Sequence, residues 1–154
     1  MLHVILYQPE IPPNTGNIIR LCANAGVRLH LVGPLGFVLD DARVRRAGLD
    51  YDELVDVRQY LNWETFHEEN TACRLWAYST HGRKNYCTAT IQDGDGLLFG
   101  PETRGLPKEL LDKIGAGHTL RIPMQKNSRS LNLSNTVAIG LYAALHQLDF
   151  QGLN

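Results

Sequence analysis

The chain has 154 residues, 44% of them hydrophobic and 20% charged, with a formal net charge of −1. These values exclude a disordered tail and a collagen-like fibre. A length within the roughly 100–200 residues of one domain implies a single domain over 1–154 that needs no disulfide or metal staple. A charge this close to zero gives bulk electrostatics no part in binding nucleic acid, so any such binding has to rest on local basic clusters.

In chain order, His3 to Tyr7 is a short apolar run and reads as a buried strand. Gln8 to Pro13 holds three prolines and reads as irregular. Thr15 is placed to cap a helix that runs to Ala25 and ends at Gly26. Leu29 to Val32 reads as a second strand, closed by Gly33-Pro34. A short charged helix over Asp40 to Ala47, a weak strand over Leu54 to Arg58 and a helix over Trp63 to Glu69 follow. Leu75 to Ser79 and Leu97 to Gly100 read as strands, with a helix from Pro107 to Ile114 after the second. Leu120 to Pro123 is the last expected strand, and Ser134 caps a final helix to about Leu148. Alternating strands and helices predict an α/β domain, a mostly parallel sheet flanked by helices. Such sheets bind ligands beyond the carboxyl ends of their strands.

Three constellations fall at or near those ends. On the first helix Ile18, Cys22 and Ala25 share an apolar stripe. Asn17, Arg20 and Asn24 share the opposite face, and with Asn14 they form an amide-rich surface holding one arginine. That surface is either an ordinary solvated face or one that grips phosphate and ribose. Phe99-Gly100-Pro101-Glu102-Thr103-Arg104-Gly105-Leu106 combines two glycines and a proline, which allow close backbone approach to a ligand. It is equally readable as a plain turn whose Glu102 complements a helix N-terminus. Ile122-Pro123-Met124 with Ser130-Leu131-Asn132-Leu133-Ser134-Asn135 carries four short hydrogen-bonding side chains where one cap would suffice, and the surplus marks a binding loop. Arg43, Arg45 and Arg46, and Lys126 with Arg129, are the basic clusters available for phosphate contacts.

Several classes drop out. The six histidines form no HxxxH or HExxH pair, which argues against a metal site. No GxGxxG, GxxxxGK[ST] or GxSxG motif occurs. No apolar run approaches the ~20 residues of a membrane span. No basic region precedes the first strand, and Cys22, Cys73 and Cys87 form no CxxC pair. The expectation is a cytoplasmic protein without signal peptide, membrane contact or disulfides. On the final helix, Val137, Leu141, Leu145 and Leu148 can face the core. Ile139, Gly140, Tyr142 and Ala143 leave the other side apolar, with Gly140, Ala143 and Ala144 small enough for a partner helix to approach. This predicts a homodimer built on that helix.

The motifs Asn14-Thr15-Gly16-Asn17-Ile18-Ile19-Arg20, Phe99 to Gly105, and Ile122-Pro123-Met124 with Ser130 to Asn135, in this order, resemble those of the SPOUT superfamily of trefoil-knotted RNA ribose methyltransferases. Leu6 to Asn14 and Arg45-Arg46-Ala47-Gly48-Leu49-Asp50-Tyr51 resemble its minimal branch, which methylates the 2′-hydroxyl of the tRNA wobble nucleotide. The resemblance covers essentially the whole chain. It implies a deep trefoil knot from about residue 75 to the C-terminus, S-adenosylmethionine as cofactor, and the tRNA anticodon stem-loop as partner. By the same resemblance the cofactor residues are Tyr78, Gly82, Gly100, Glu102, Gly105, Ile122, Met124, Ser130, Leu131 and Asn135. Arg20, Asn14, Glu102, Ser130 and Asn132 are the catalytic set, with Arg20 reaching the cofactor of the other subunit. Asn17, Arg20, Asn24, Arg43, Arg45, Arg46, Lys126 and Arg129 are the RNA contacts, and no metal takes part. Competing readings are a 2′-O-methyltransferase of ribosomal RNA, an inactive RNA-binding accessory protein and a flavodoxin-like nucleotide binder.

Overall fold

In the computed structural model, which describes residues 1–39 and 56–154, the strands are β1 (His3–Tyr7), β2 (Arg28–Val32), β3 (Val57–Tyr60), β4 (Leu75–Tyr78), β5 (Lys84–Asn85), β6 (Gly96–Phe99) and β7 (Thr119–Arg121). The helices are α1 (Pro12–Ala25), α2 (Trp63–Glu69), α3 (Lys108–Ile114) and α4 (Leu133–Gln147). The strands form one sheet in the order β3-β2-β1-β6-β4-β7-β5, with every pairing parallel. The expected helix over Asp40 to Ala47, together with Arg43, Arg45 and Arg46, lies outside the described residues.

Side chains alternate across the sheet, as the twofold period of a strand requires. Val4, Leu6, Leu29, Leu31, Trp76, Tyr78, Leu97 and Phe99 point to one face, where Ile18, Ile19 and Cys22 of α1 and Val137, Leu141 and Ala144 of α4 cover them. Ile5, Val32, Ala77 and Leu98 point to the other face, where Phe66 of α2 and Leu110 of α3 close the second core. Both faces are therefore dry, and burial of each large aliphatic side chain contributes ~1.5–3 kcal/mol.

Some boundaries differ from expectation. Helix α1 begins at Pro12, a full turn before Thr15, so Pro12 and Pro13 are helical rather than irregular. Proline is tolerated there because the first helical residues have no intrahelical use for an N–H, and its φ is already near the helical value. Gly26 ends α1 with φ 64°, the left-handed conformation that glycine adopts without a Cβ penalty. Strand β3 runs to Tyr60, and β7 is Thr119–Arg121 rather than Leu120 to Pro123. The two-residue β5 has no apolar pattern to announce it; its Lys84 ammonium lies 5.2 Å from the Trp76 ring centroid.

One crossing organises the C-terminal half. The chain passes from β4 to β5 through residues 79–83, yet β7 lies between those two strands. The short connection therefore crosses over β7. The Ser79 N–H donates to the Leu120 carbonyl at 3.0 Å. A Cβ on Gly82 would sit 2.7 Å from the Leu120 carbonyl carbon, so only glycine permits this approach without a backbone shift.

Candidate active site

Strands β4, β6 and β7 end side by side, and the three segments that follow them, 78–81, 99–106 and 122–133, enclose a cleft of about 420 Å³. That volume lies in the ~300–1,000 Å³ range of small-molecule sites. Asn14 and Ile11, at the start of α1, and Thr136 of α4 complete the wall.

The 99–106 segment is a closed turn. Gly105, at φ 67°, donates its N–H to the Pro101 carbonyl at 2.9 Å. A Cβ on Gly100 would lie 2.4 Å from the Leu106 nitrogen, so the turn closes only around a glycine. The turn presents Glu102, Thr103 and Arg104. The Glu102 carboxylate accepts the N–H of Glu10 at 3.0 Å and of Ile11 at 2.6 Å, the last amides before α1. Ile11 has no capping side chain of its own, and Pro12 and Pro13 have no N–H, so Glu102 supplies the negative charge at the helix's positive end. Burial raises the Glu102 pKa above the usual carboxylate value, against the pull of these two amides and with the help of the nearby Glu10 charge. Glu10 in turn accepts from the Thr103 N–H at 3.0 Å and the Thr103 hydroxyl at 2.7 Å, which lower its pKa.

At the third segment, Asn132 rather than Ser134 caps α4. Its Oδ1 accepts from the N–H of Ser134 at 2.9 Å and of Asn135 at 3.4 Å, and from the Ser134 hydroxyl at 2.6 Å. An Asn preceding the helix presents its carbonyl to the second and third amides without bending the chain, whereas Ser134 is already inside the first turn. The Asn132 Nδ2 donates to Asn14 Oδ1 at 3.0 Å, tying the α1 and α4 starts together. Asn14 is consequently buried and separate from the exposed face of Asn17, Arg20 and Asn24 that it was expected to join.

Of the residues singled out from sequence, Asn14, Tyr78, Gly100, Glu102, Gly105, Ile122, Met124, Ser130, Leu131 and Asn132 line the cleft together. Gly82 serves the crossing over Leu120 instead, and Asn135 is exposed beyond the cap; neither lines the cleft. Arg20, Lys126 and Arg129 are exposed and also stand outside it. Sequence reasoning passed over Ser79, Thr80, His81, Thr103 and Arg104 as lining residues, and Glu10, which buttresses Thr103. No local sequence signal marks Glu10, because its partner Thr103 lies 93 residues away. Tyr78 stacks on Phe99 with ring centroids 4.6 Å apart, and burial raises its phenol pKa well above the ordinary value. Among the described residues no cluster of three or more His, Cys, Asp or Glu forms a metal site.

A family model described as "SpoU rRNA Methylase family" matches residues 1–142. The chain belongs to this family. The SpoU-family chain is 56% identical over 152 residues to a tRNA (cytidine(34)-2'-O)-methyltransferase of Saccharophagus degradans, covering 99% of each. It also matches a solved structure described as giving insight into 2-OH methylation of C/U34 on tRNA, with TM-score 0.88, 46% identity, and coverage of 97% of this chain and 91% of that one. A third match is an AdoMet-bound rRNA methyltransferase from Sinorhizobium meliloti, with TM-score 0.83, 30% identity, and coverage of 96% of this chain but 56% of the other.

Proposed function

We propose that this protein transfers a methyl group from S-adenosylmethionine to the ribose 2′-hydroxyl of nucleotide 34 in the tRNA anticodon loop. The reading is carried by one observation. Three loops separated in sequence converge on a single cleft in a chain whose 56%-identical relative, matched over 99% of both lengths, is named for that reaction. The rRNA methyltransferase is the more distant match, at 30%. A tRNA substrate supports a cytoplasmic location.

The cleft suits the cofactor. The tight turn between Gly100 and Gly105 brings backbone close to a ligand, and the wall combines the apolar Tyr78, Ile122, Met124 and Leu131 with the hydroxyl of Ser130, which has no partner among the described residues. When bound, the cofactor supplies an electrophilic methyl sulfonium. The protein's part is to hold the ribose hydroxyl in line with that methyl and to steady the charge that develops. The Asn14 oxygen is engaged by Asn132, and its Nδ2, with no acceptor among the described residues, is left for a ligand. Glu102, which lines the cleft while holding the start of α1, would offset the positive charge of a bound sulfonium. Gly82 and Asn135 support the cleft from behind, through the β7 crossing and the α4 first turn.

Arg20 acts across a homodimer, reaching the cofactor of the second subunit; it orients the phosphate–ribose unit and stabilises the alkoxide. A guanidinium stays protonated in proteins, so it is not a literal base. Asn17, Asn24, Arg43, Arg45, Arg46, Lys126 and Arg129 grip the anticodon stem-loop. The dimer uses the outer face of α4, where Ile139 and Tyr142 are exposed at 37% and 43%, with Phe150 beside Tyr142. The passage of residues 79–83 over β7 supports a trefoil knot spanning about 75–154 in a single domain.

The decisive measurement is mass spectrometry of tRNA from a strain lacking this protein. The 2′-O-methyl mark at position 34 should disappear and return on complementation. Calorimetry after chelation should still show cofactor binding; a strict need for a divalent ion would contradict the reading.

A further inference from the structure

We infer that Glu10 is a positioning residue for the cleft: through Thr103 it sets the cofactor-facing turn, and with Glu102 it locks that turn to the start of α1. The inference rests on the proposed methyl transfer for its consequence, but its geometry is independent of it. Two segments 92 residues apart exchange hydrogen bonds in both directions. The Glu102 carboxylate accepts the amides of Glu10 and Ile11. The Glu10 carboxylate accepts the amide and hydroxyl of Thr103, at 3.0 and 2.7 Å. Hydrogen bonds to ionised carboxylates are about twice as strong as neutral ones, so this reciprocal clamp is a stiff joint.

What the joint connects gives it a role. Thr103 and Glu102 line the cleft, whereas Glu10 does not. Helix α1 carries Asn14 into the same cleft and Arg20 outside it. The backbone of Glu10 is pinned from behind as well: the Gly36 N–H donates to the Pro9 carbonyl at 3.0 Å, and a Cβ on Gly36 would lie 3.0 Å from the Glu10 Cα. Glu10 is therefore a fixed post rather than a mobile surface carboxylate. The turn it braces holds two glycines and has no other side chain from outside the turn bonded to Thr103 among the described residues. Without the Glu10 carboxylate the turn keeps its internal Gly105–Pro101 bond, the Glu102 bonds to the amides of residues 10 and 11 and the Arg104–Gln8 bond, but the Thr103 amide and hydroxyl lose their brace, so that edge of the cleft is no longer fixed against the α1 start.

The test compares Glu10→Ala, Glu10→Gln and Thr103→Val in the full-length chain. Two readouts are taken: calorimetric titration with S-adenosylmethionine, and hydrogen exchange of the cofactor-free protein. Glu10→Ala should weaken cofactor binding about tenfold and speed exchange across 100–106. Glu10→Gln retains an acceptor oxygen for both Thr103 donors and should stay within about threefold of the parent. Thr103→Val keeps the amide bond and loses the hydroxyl bond, and should fall between them. Parent-like exchange and affinity in Glu10→Ala would overturn the inference, as would a Gln variant as weak as the Ala variant. Should Glu10→Ala fail to fold, Thr103→Val with unchanged affinity and exchange overturns it equally. If the parent protein binds no cofactor, the functional proposal fails instead, while the exchange data still decide whether the clamp sets the turn.

Discussion

Arg20 stands on the exposed face of α1 with Asn17 and Asn24 and makes no hydrogen bond or ion pair among the described residues. An unengaged arginine keeps its full fork of donors for a phosphate or carboxylate partner. Arg20 does not line the cleft of its own chain, and the group it is proposed to hold across the dimer is the phosphate–ribose unit, so removing it should separate catalysis from cofactor binding. Arg20→Ala is expected to abolish methyl transfer in single-turnover assays while leaving cofactor affinity within about threefold, a difference of ~0.7 kcal/mol. Arg20→Lys should rescue poorly, because an ammonium cannot reproduce the planar fork. Asp95 shows the opposite case, a charge wholly consumed by structure. It is 3% exposed and accepts from Arg74 at 2.9 and 2.6 Å, from the Trp76 indole at 2.9 Å and from the Gln92 amide at 2.8 Å. Burial alone would raise its pKa, but these donors prevail and hold it below the usual carboxylate value. Polarity alone therefore does not tell a side chain free to bind from one consumed by structure.

Helix α4 divides its apolar surface between two tasks. Val137, Leu141, Ala144 and Leu145 are buried in the sheet-facing core. Gly140 belongs to that inner side too: a Cβ there would lie 2.9 Å from two ring carbons of Tyr78, which is itself stacked on Phe99. Gly140 and Ala144 are small because their own chain needs the space, not because a partner helix does. Ile139 and Tyr142 remain exposed on the outer side. The two groups should respond differently. Gly140→Ala should lower stability by about 1–3 kcal/mol, the usual range for overpacking, without altering the oligomeric state. Ile139→Glu and Tyr142→Glu should yield monomers in analytical ultracentrifugation with the cofactor cleft intact. Persistence of dimers in both Glu variants would move the interface off α4.

Across the whole molecule, the sheet carries a line of titratable groups on the face away from α1 and α4. His3 Nδ1 lies 2.8 Å from His30 Nε2, and His30 Nδ1 lies 2.9 Å from the Tyr60 hydroxyl. His30 is 1% exposed, and burial, followed by the positive neighbours His3, Arg28 and Arg58, drives its pKa down from 6.5 to about 3. Burial and nearby positive charge also lower that of His3. The unfolded chain takes up a proton near pH 6.5 while the folded one resists until about 3, so stability falls as the pH drops through that window. At pH 5 the His30 contribution is a loss of about 2 kcal/mol relative to neutral pH. Denaturant unfolding at pH 7 and pH 5 should show this loss, and His30→Gln, which cannot titrate, should show a smaller one. Equal pH dependence in the two proteins would contradict the assignment.

Periodicity and chemistry in the sequence by themselves determined the alternation of strands and helices, the parallel sheet and the three loops that carry the site. Those features are local. Apolar runs such as His3 to Tyr7 and glycines such as Gly26 and Gly105 act through their immediate neighbours. Tertiary structure alone decided which polar residues meet. Glu10 and Thr103, or Asn14 and Asn132, are separated by more than 90 residues, and no spacing rule joins them. It also decided that α1 starts on prolines, since the negative charge at that end comes from Glu102 on a distant turn. The place of β5 was equally invisible, because two residues carry no period and their pairing with β7 depends on a chain crossing that forms only once the sheet is assembled.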